Sequence, residues 1–196
     1  MRVLRSIVLS IAALLALAPL PAAAQQEVSN PPDPWVHAAT GTRFPATVGQ
    51  FQRGRVVEYS DDGHDASVGY SMARDDDRLS VTLYVYPVVA GLNCVETYQD
   101  AKASIARYAG TQLVSESRER APGGVGAPAA YHARYFIPAG SMAANLPAVR
   151  SELYLYCPPG DEWLVKYRAT WGVDTDFAGD VETLLHAIDW PDSLGG

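Results

Sequence analysis

The clearest pattern along the chain is the alternation of apolar and polar residues in Leu79–Tyr86, which is typical of a strand with one buried face. Six further segments have strand composition and are bounded by turn residues, such as the aspartate–glycine run at 61–63. These predicted strands are Arg55–Ser60, Ala66–Ala73, Gln112–Glu119, Ala129–Ile137, Val149–Cys157 and Glu162–Trp171. Because short turns join most neighbouring strands, we expect an antiparallel sheet.

Two segments have helical periodicity instead. Asn93, with Glu96 three residues later, predicts a capping box at the start of a helix that ends at Gly110. A second apolar pattern at helical spacing comprises Phe177, Val181, Leu184, Leu185 and Ile188. The order β-β-β-α-β-β-β-β-α predicts an α+β fold, in which a single antiparallel β-sheet has both helices packed on one face.

The N-terminus has the organisation of a secretory signal peptide. Arg2 and Arg5 precede an apolar run, Ile7–Leu17, that is too short to span a bilayer, and small residues at 22–24 form a cleavage site. We therefore expect a signal peptide over 1–24 and a periplasmic or secreted protein without a membrane span after cleavage. An extended proline-rich linker at 25–42, in which Trp35 docks on the body, a single domain at 43–191 and a tail at 192–196 complete the predicted organisation.

The net charge limits the classes of partner, and the number of cysteines indicates how they are used. The formal charge is −7, and removal of the two leader arginines lowers it by two more, which argues against a nucleic-acid partner. Two cysteines are too few for a disulfide framework or a cysteine-rich zinc site. In an oxidising compartment, Cys94 and Cys157 are expected to form one disulfide worth about 4 kcal/mol, whereas a catalytic thiol would need a positioned histidine.

No motif for catalysis, metal binding or a cofactor is present. The chain has no nucleophile elbow, and the glycines at 123–126 lack the lysine of a phosphate loop. The four histidines are widely spaced, so only a zinc site assembled across space stays open: His37, His64, His132 and His186. Asp174 and Asp176 resemble the start of a calcium loop, but Ala178 and Leu185 stand where that loop requires oxygen ligands, and a helix-capping role explains the same carboxylates. We predict no catalytic residue, metal or cofactor.

Strand alternation also sorts the residues of each strand into two sets. We expect the helices to cover the aliphatic set and to leave the opposite face to tyrosines and cations. Tyrosine offers wide contact area with a polar tip, and arginine recognises carboxylate or phosphate, so the expected partner is a protein or an anionic small molecule. An ordinary solvent-facing sheet surface is the alternative. The predicted ligand or partner face consists of Tyr84, Tyr86, His132, Arg134, Tyr154, Tyr156, Lys166 and Arg168.

The layout of these elements resembles the PsbP-like fold, which includes photosystem extrinsic proteins and bacterial periplasmic DcrB-like proteins. The segments that carry the resemblance are Leu79–Tyr86, Val95–Ala109, Trp163–Trp171 and Phe177–Trp190, within about 44–191. The opening segment Phe44–Tyr59 is also similar to the start of uncharacterised exported proteobacterial proteins. The resemblance implies an accessory or binding role in the bacterial envelope without enzymatic activity. A small-molecule carrier, a hydrolase without a recognisable motif and a purely structural envelope protein are the alternatives.

Overall fold

The computed structural model describes residues 25–160 and 162–196, so the predicted signal peptide lies outside the described residues. Four two-residue strands come first: β1 (Gln26–Glu27), β2 (Trp35–Val36), β3 (Arg43–Phe44) and β4 (Thr47–Val48). The long strands before the first helix are β5 (Phe51–Glu58), β6 (Ala66–Arg74) and β7 (Asp77–Pro87). Those after it are β8 (Gln112–Glu119), β9 (Ala130–Ile137), β10 (Val149–Tyr156) and β11 (Trp163–Gly172).

Most strands belong to one antiparallel sheet with the order β1-β5-β6-β7-β11-β10-β9-β8, and β4 pairs with β5 beside this path. The sheet consists of two meanders, β5–β7 and β8–β11. The last strands of the two meanders are neighbours at the centre of the sheet. There β11 pairs with β7, so that Lys166 lies opposite Tyr84. This architecture confirms the α+β class and the antiparallel sheet that the alternating pattern predicted.

Two helices complete the fold. Helix α1 (Cys94–Ala106) begins with the predicted capping box: the Glu96 amide donates to the Asn93 side chain at 3.0 Å, and the Asn93 amide donates to the Glu96 carboxylate at 2.9 Å. Helix α2 (Ala178–Ala187) follows β11 and buries Val181, Leu184 and Leu185. A short 3₁₀ helix, Asp192–Leu194, closes the chain.

The helices lie on opposite faces of the sheet, so the prediction that both pack on one face is wrong. Strand β10 shows the division: Leu155 belongs to the apolar cluster of Ile105 in α1, whereas its neighbour Tyr154 belongs to the cluster of Leu184 in α2. Alternate residues of a strand point to opposite faces, and β10 is buried on both. A strand that is apolar on both faces needs a covering layer on each side, and one helical layer cannot supply both.

The segment predicted as an extended linker packs partly against the body. It contributes β1 at the sheet edge and β2 in a two-stranded pair with β3. Trp35 is buried as expected, with its ring 5.7 Å from that of Phe44. His37 is also fully buried; its Nε2 lies 3.1 Å from the carbonyl oxygen of His64.

A disulfide joins Cys94 to Cys157, as predicted, with Cα atoms 6.1 Å apart. It connects the first residue of α1 to the residue that follows β10, and so fixes one end of the helix on the sheet. Within 25–160 and 162–196, no helix is long and apolar enough to cross a membrane.

Candidate functional site

The eight residues of the predicted ligand face occupy two faces of the sheet, so the prediction of one common face is wrong. Tyr84, Tyr86, Lys166 and Arg168 lie on the side of α1, whereas His132, Arg134, Tyr154 and Tyr156 lie on the side of α2. Alternation separates the two sets within one strand, but only the pairing register shows which sets of different strands share a face. The register places Tyr154 opposite Tyr167 and His132, away from the first four residues.

The α2 side of the sheet contains a surface opening. It lies between α2 and strands β9 and β10 and has two adjoining compartments, of about 360 and 300 Å³. Both compartments are lined by Arg134, Glu152 and Ala178, so they form one cleft, which we call the α2 cleft. It exists because α2 covers the aliphatic residues near the middle of the sheet, where Leu185 packs, and leaves the face of the outer strands open.

A buried charged network forms the floor between the compartments. Arg134 donates through Nε to Glu152 Oε1 at 2.8 Å, and the Glu152 side chain is only 4% exposed. Tyr167 donates its hydroxyl to Glu152 Oε2 at 3.4 Å, and His132 Nε2 lies 3.4 Å from the same oxygen without a hydrogen-bonding alignment. Burial, followed by the charge of Glu152, raises the pKa of Tyr167 well above its usual value, so this hydroxyl keeps its proton and can donate.

Stacked tyrosines support this floor from the interior. The rings of Tyr154 and Tyr167 lie 5.0 Å apart and almost parallel, and the Tyr154 hydroxyl donates to the carbonyl of Arg120 at 2.7 Å. Tyr156 lies further along, close to Gly195 near the C-terminus, and does not line the cleft. Of the four predicted residues on this side, three therefore line the cleft: His132, Arg134 and Tyr154.

The larger compartment combines an apolar wall with an unpaired cation. Arg150 lies between Phe136 on β9 and Trp171 on β11 in the pairing register. It is exposed and makes no hydrogen bond or ion pair with any other described residue. The indole N–H of Trp171 is buried without a hydrogen-bond partner. Asp176, which lines the same compartment, accepts a hydrogen bond from the amide of Ala178 at the start of α2.

A polar group on three adjacent strands, Ser117, His132 and Glu152, lies on the side of the smaller compartment; Ser117 is opposite His132 in the register, and Glu152 is displaced by two residues along β10. Its order is that of a nucleophile, a base and an acid, with Ser117 Oγ 3.3 Å from His132 Nδ1. However, Ser117 donates its hydroxyl hydrogen to Glu119 at 2.8 Å, so that hydrogen is directed away from His132. This geometry favours a fixed polar surface for binding over an activated nucleophile.

Sequence reasoning missed three of the cleft residues: Arg150, Glu152 and Trp171. Glu152 had a usable signal, because it directly precedes the apolar run Leu153–Tyr156 on the same strand and a buried carboxylate needs a partner on a neighbouring strand. Arg150 and Trp171 had none, since their proximity depends on the register between β10 and β11.

Among the described residues, no three His, Cys, Asp or Glu side chains come together in a way that could hold a metal ion. Comparisons of the chain with protein-family models, with curated proteins and with solved structures find no match. The resemblance to the PsbP-like fold therefore stays a prediction from the layout of the sequence.

Proposed function

We propose that this chain is an exported binding protein of the bacterial envelope and that the α2 cleft takes an anionic small molecule with an apolar part. The observation that carries the proposal is Arg150, an arginine without an acidic partner among the described residues that lies between the aromatic residues Phe136 and Trp171. A guanidinium group beside aromatic walls suits a ligand in which a carboxylate, sulfonate or phosphate is attached to an apolar body.

The dimensions and donors of the α2 cleft support the same ligand class. Its larger compartment, at about 360 Å³, falls within the usual range for small-molecule sites. Arg134 uses only its Nε on Glu152 and has a half-exposed side chain, so its terminal nitrogens can also donate to a ligand. The unpartnered indole N–H of Trp171 is a further donor beside the apolar wall.

Export is supported by two features of the chain. Residues 1–24 have the sequence of a signal peptide, and the disulfide between Cys94 and Cys157 is of the kind that persists in oxidising compartments. An acidic protein of this kind would bind an anion through a local pair of arginines, and its overall charge would not assist. We therefore expect affinity to depend on Arg150 and Arg134 individually.

The experiment uses the anionic, partly apolar dye 8-anilinonaphthalene-1-sulfonate as a probe of the α2 cleft in the mature protein. We expect saturable binding at one site, accompanied by quenching of Trp171 fluorescence. The substitution Arg150→Gln should weaken the binding at least tenfold, because it removes the unpaired charge while keeping a polar side chain. Native mass spectrometry of freshly purified protein then shows whether an endogenous molecule of this class is retained.

The matched control is Arg118→Gln, which removes the same charge from β8 on the opposite face, where the guanidinium group lies 3.6 Å from the Tyr131 ring centre. This variant should bind the dye like the unsubstituted protein. Equal binding by the Arg150 variant, or no saturable binding at all, would refute the proposal. A Trp171→Phe variant that is still quenched to the same extent would also place the dye elsewhere.

A further inference from the structure

The other half of the predicted face forms a separate cluster on the side of α1. Lys166 and Arg168 are two residues apart on β11, so their side chains lie on the same face about 7 Å apart along the strand. The register sets Lys166 opposite Tyr84 and Arg168 opposite Leu153. A small opening of about 110 Å³ between α1 and the sheet is lined by both cations and by Ser104.

The donors of this cluster are incompletely used. Lys166 makes no hydrogen bond or ion pair with another described residue, and its Nζ lies 4.2 Å from the ring centre of Tyr84. Arg168 donates through Nε to Ser151 at 2.9 Å, while its Nη2 is buried without a partner. The hydroxyl of Tyr135, on a residue only 4% exposed, is likewise without a partner. Both residues are next to Ser151: Arg168 donates to its hydroxyl, and Tyr135 lies opposite it in the register.

No carboxylate neutralises these two cations. Within the part of the chain that the structure describes, neither forms an ion pair within 4 Å, and Asp65 is the acid whose charge acts on Lys166 from further away. Arg107 at the end of α1 adds a third positive charge near Arg168. Burial lowers the pKa of both Lys166 and Arg168, as expected where charge is desolvated without a counter-ion.

We propose that Lys166 and Arg168 bind a compact tetrahedral oxyanion of the phosphate or sulfate type in this opening beneath α1. Such an anion supplies acceptors for the unused Nζ and Nη2 donors and offsets the adjacent positive charges. The opening, at about 110 Å³, has room for a small ion of this kind. This site is independent of the α2 cleft, because it lies on the other face of the sheet.

Calorimetric titration of the mature protein with inorganic phosphate, and separately with sulfate, tests the proposal at constant ionic strength in chloride. We expect one saturable site per chain. Lys166→Met and Arg168→Gln should each weaken binding at least tenfold, because each removes one of the two charged donors. Arg78→Gln is the matched control: it removes an exposed charge on the neighbouring strand β7 and should leave the affinity unchanged.

A third titration, with glycerol 1-phosphate, separates the two sources of the oxyanion. Tighter binding than inorganic phosphate assigns the site to a phosphate carried on a larger molecule, and weaker binding assigns it to the free ion. Circular dichroism establishes whether each variant is folded. If the Arg168 variant is unfolded, the Lys166 variant alone tests the proposal. Absence of saturable binding, or equal affinity in Lys166→Met, would overturn the proposal. Arg150→Gln should bind the oxyanion with unchanged affinity. The proposals for this site and for the α2 cleft can therefore be refuted independently of each other.

Discussion

Both faces of the sheet carry cationic side chains, but the neighbours of these side chains differ between the two faces. On the α2 side, Arg134 forms a hydrogen-bonded ion pair with the buried carboxylate of Glu152. On the α1 side, Lys166 and Arg168 have no carboxylate within ion-pair distance among the described residues. Arg134 is held in place by a buried carboxylate and keeps only its terminal nitrogens for a ligand, whereas the desolvated Lys166 and Arg168 have no carboxylate beside them to offset their charge. These cationic side chains therefore differ between the two faces in whether a buried carboxylate offsets their charge.

The largest expected effect tests how each helix is held. Only α1 is joined covalently to the sheet, so replacing Cys94 and Cys157 together by alanine should lower the free energy of unfolding by about 4 kcal/mol. Hydrogen exchange should show greater loss of protection in α1 than in α2, because α2 is held by apolar packing and by the ion pair of Asp180 with Arg74, and neither depends on the disulfide. Urea denaturation and exchange measured by mass spectrometry provide both values. Equal loss of protection in the two helices would contradict this account.

The next effect concerns the buried carboxylate of the α2 side. Glu152→Gln keeps the size of the side chain but removes the charge that accepts from Arg134 and Tyr167. We expect the free energy of unfolding to fall by about 2 kcal/mol, since hydrogen bonds to charged groups contribute roughly 1.5–3 kcal/mol. The control is Glu116→Gln on the α1 side of β8, where the 41% exposed carboxylate accepts from Lys102 and Tyr98; because water reaches this carboxylate, its replacement should cost under about 1 kcal/mol. Similar losses in both variants would remove the distinction between the faces.

On the α1 side, we expect a smaller change in the free energy of unfolding, and in the opposite direction. Lys166→Met replaces a desolvated ammonium, which contacts the Tyr84 and Tyr86 rings but no carboxylate, by an apolar group that keeps the ring contacts, so stability in phosphate-free buffer should stay unchanged or rise by up to about 1 kcal/mol. Urea denaturation measures the change. Arg78→Met, at an exposed position, serves as control and should alter stability by less than about 0.5 kcal/mol. A marked loss of stability on removing Lys166 would show that its charge has a structural partner.

The smallest effect is a pH dependence at the N-terminal end of the α2 side, where His37 packs edge-on against Trp163. Burial lowers the pKa of His37 below its ordinary value of 6.5, so the unfolded chain binds its proton first as pH falls. The stabilisation by neutral His37 is therefore complete above about pH 6.5 and is lost as pH falls through the lowered pKa. In His37→Gln, stability between pH 7 and pH 5 should fall less steeply. His186→Gln, at an exposed histidine of α2, is the control.

Local features of the fold could be predicted from the sequence because they depend on neighbouring residues. The capping box needs only Asn93 and Glu96, and the strand Leu79–Tyr86 is evident from its own alternation. The disulfide could be predicted from the number of cysteines and the expected compartment. Each of these predictions is independent of how distant strands pair.

The arrangement of the faces could not be predicted, because it depends on the register between strands far apart in the sequence. The sequence of β10 indicated that both faces of the sheet are covered, because the run Leu153–Tyr156 is apolar on both faces and such a strand needs a covering layer on each side. The cleft residues follow from the same register: Arg150 meets Trp171 only through the pairing of β10 with β11. The unpartnered indole and hydroxyl groups become visible only when all neighbours are in place.

The disulfide also determines how the chain would respond to proteolysis. The loop at 138–148 joins β9 to β10, and its residues 142–147 are exposed, which is typical of sites of cleavage and of tolerated insertion. Because Cys94 precedes this loop and Cys157 follows it, a cut there leaves two fragments that stay covalently linked. A nicked chain would migrate as one species until it is reduced, and a label inserted in this loop could be carried without separating the two halves of the protein.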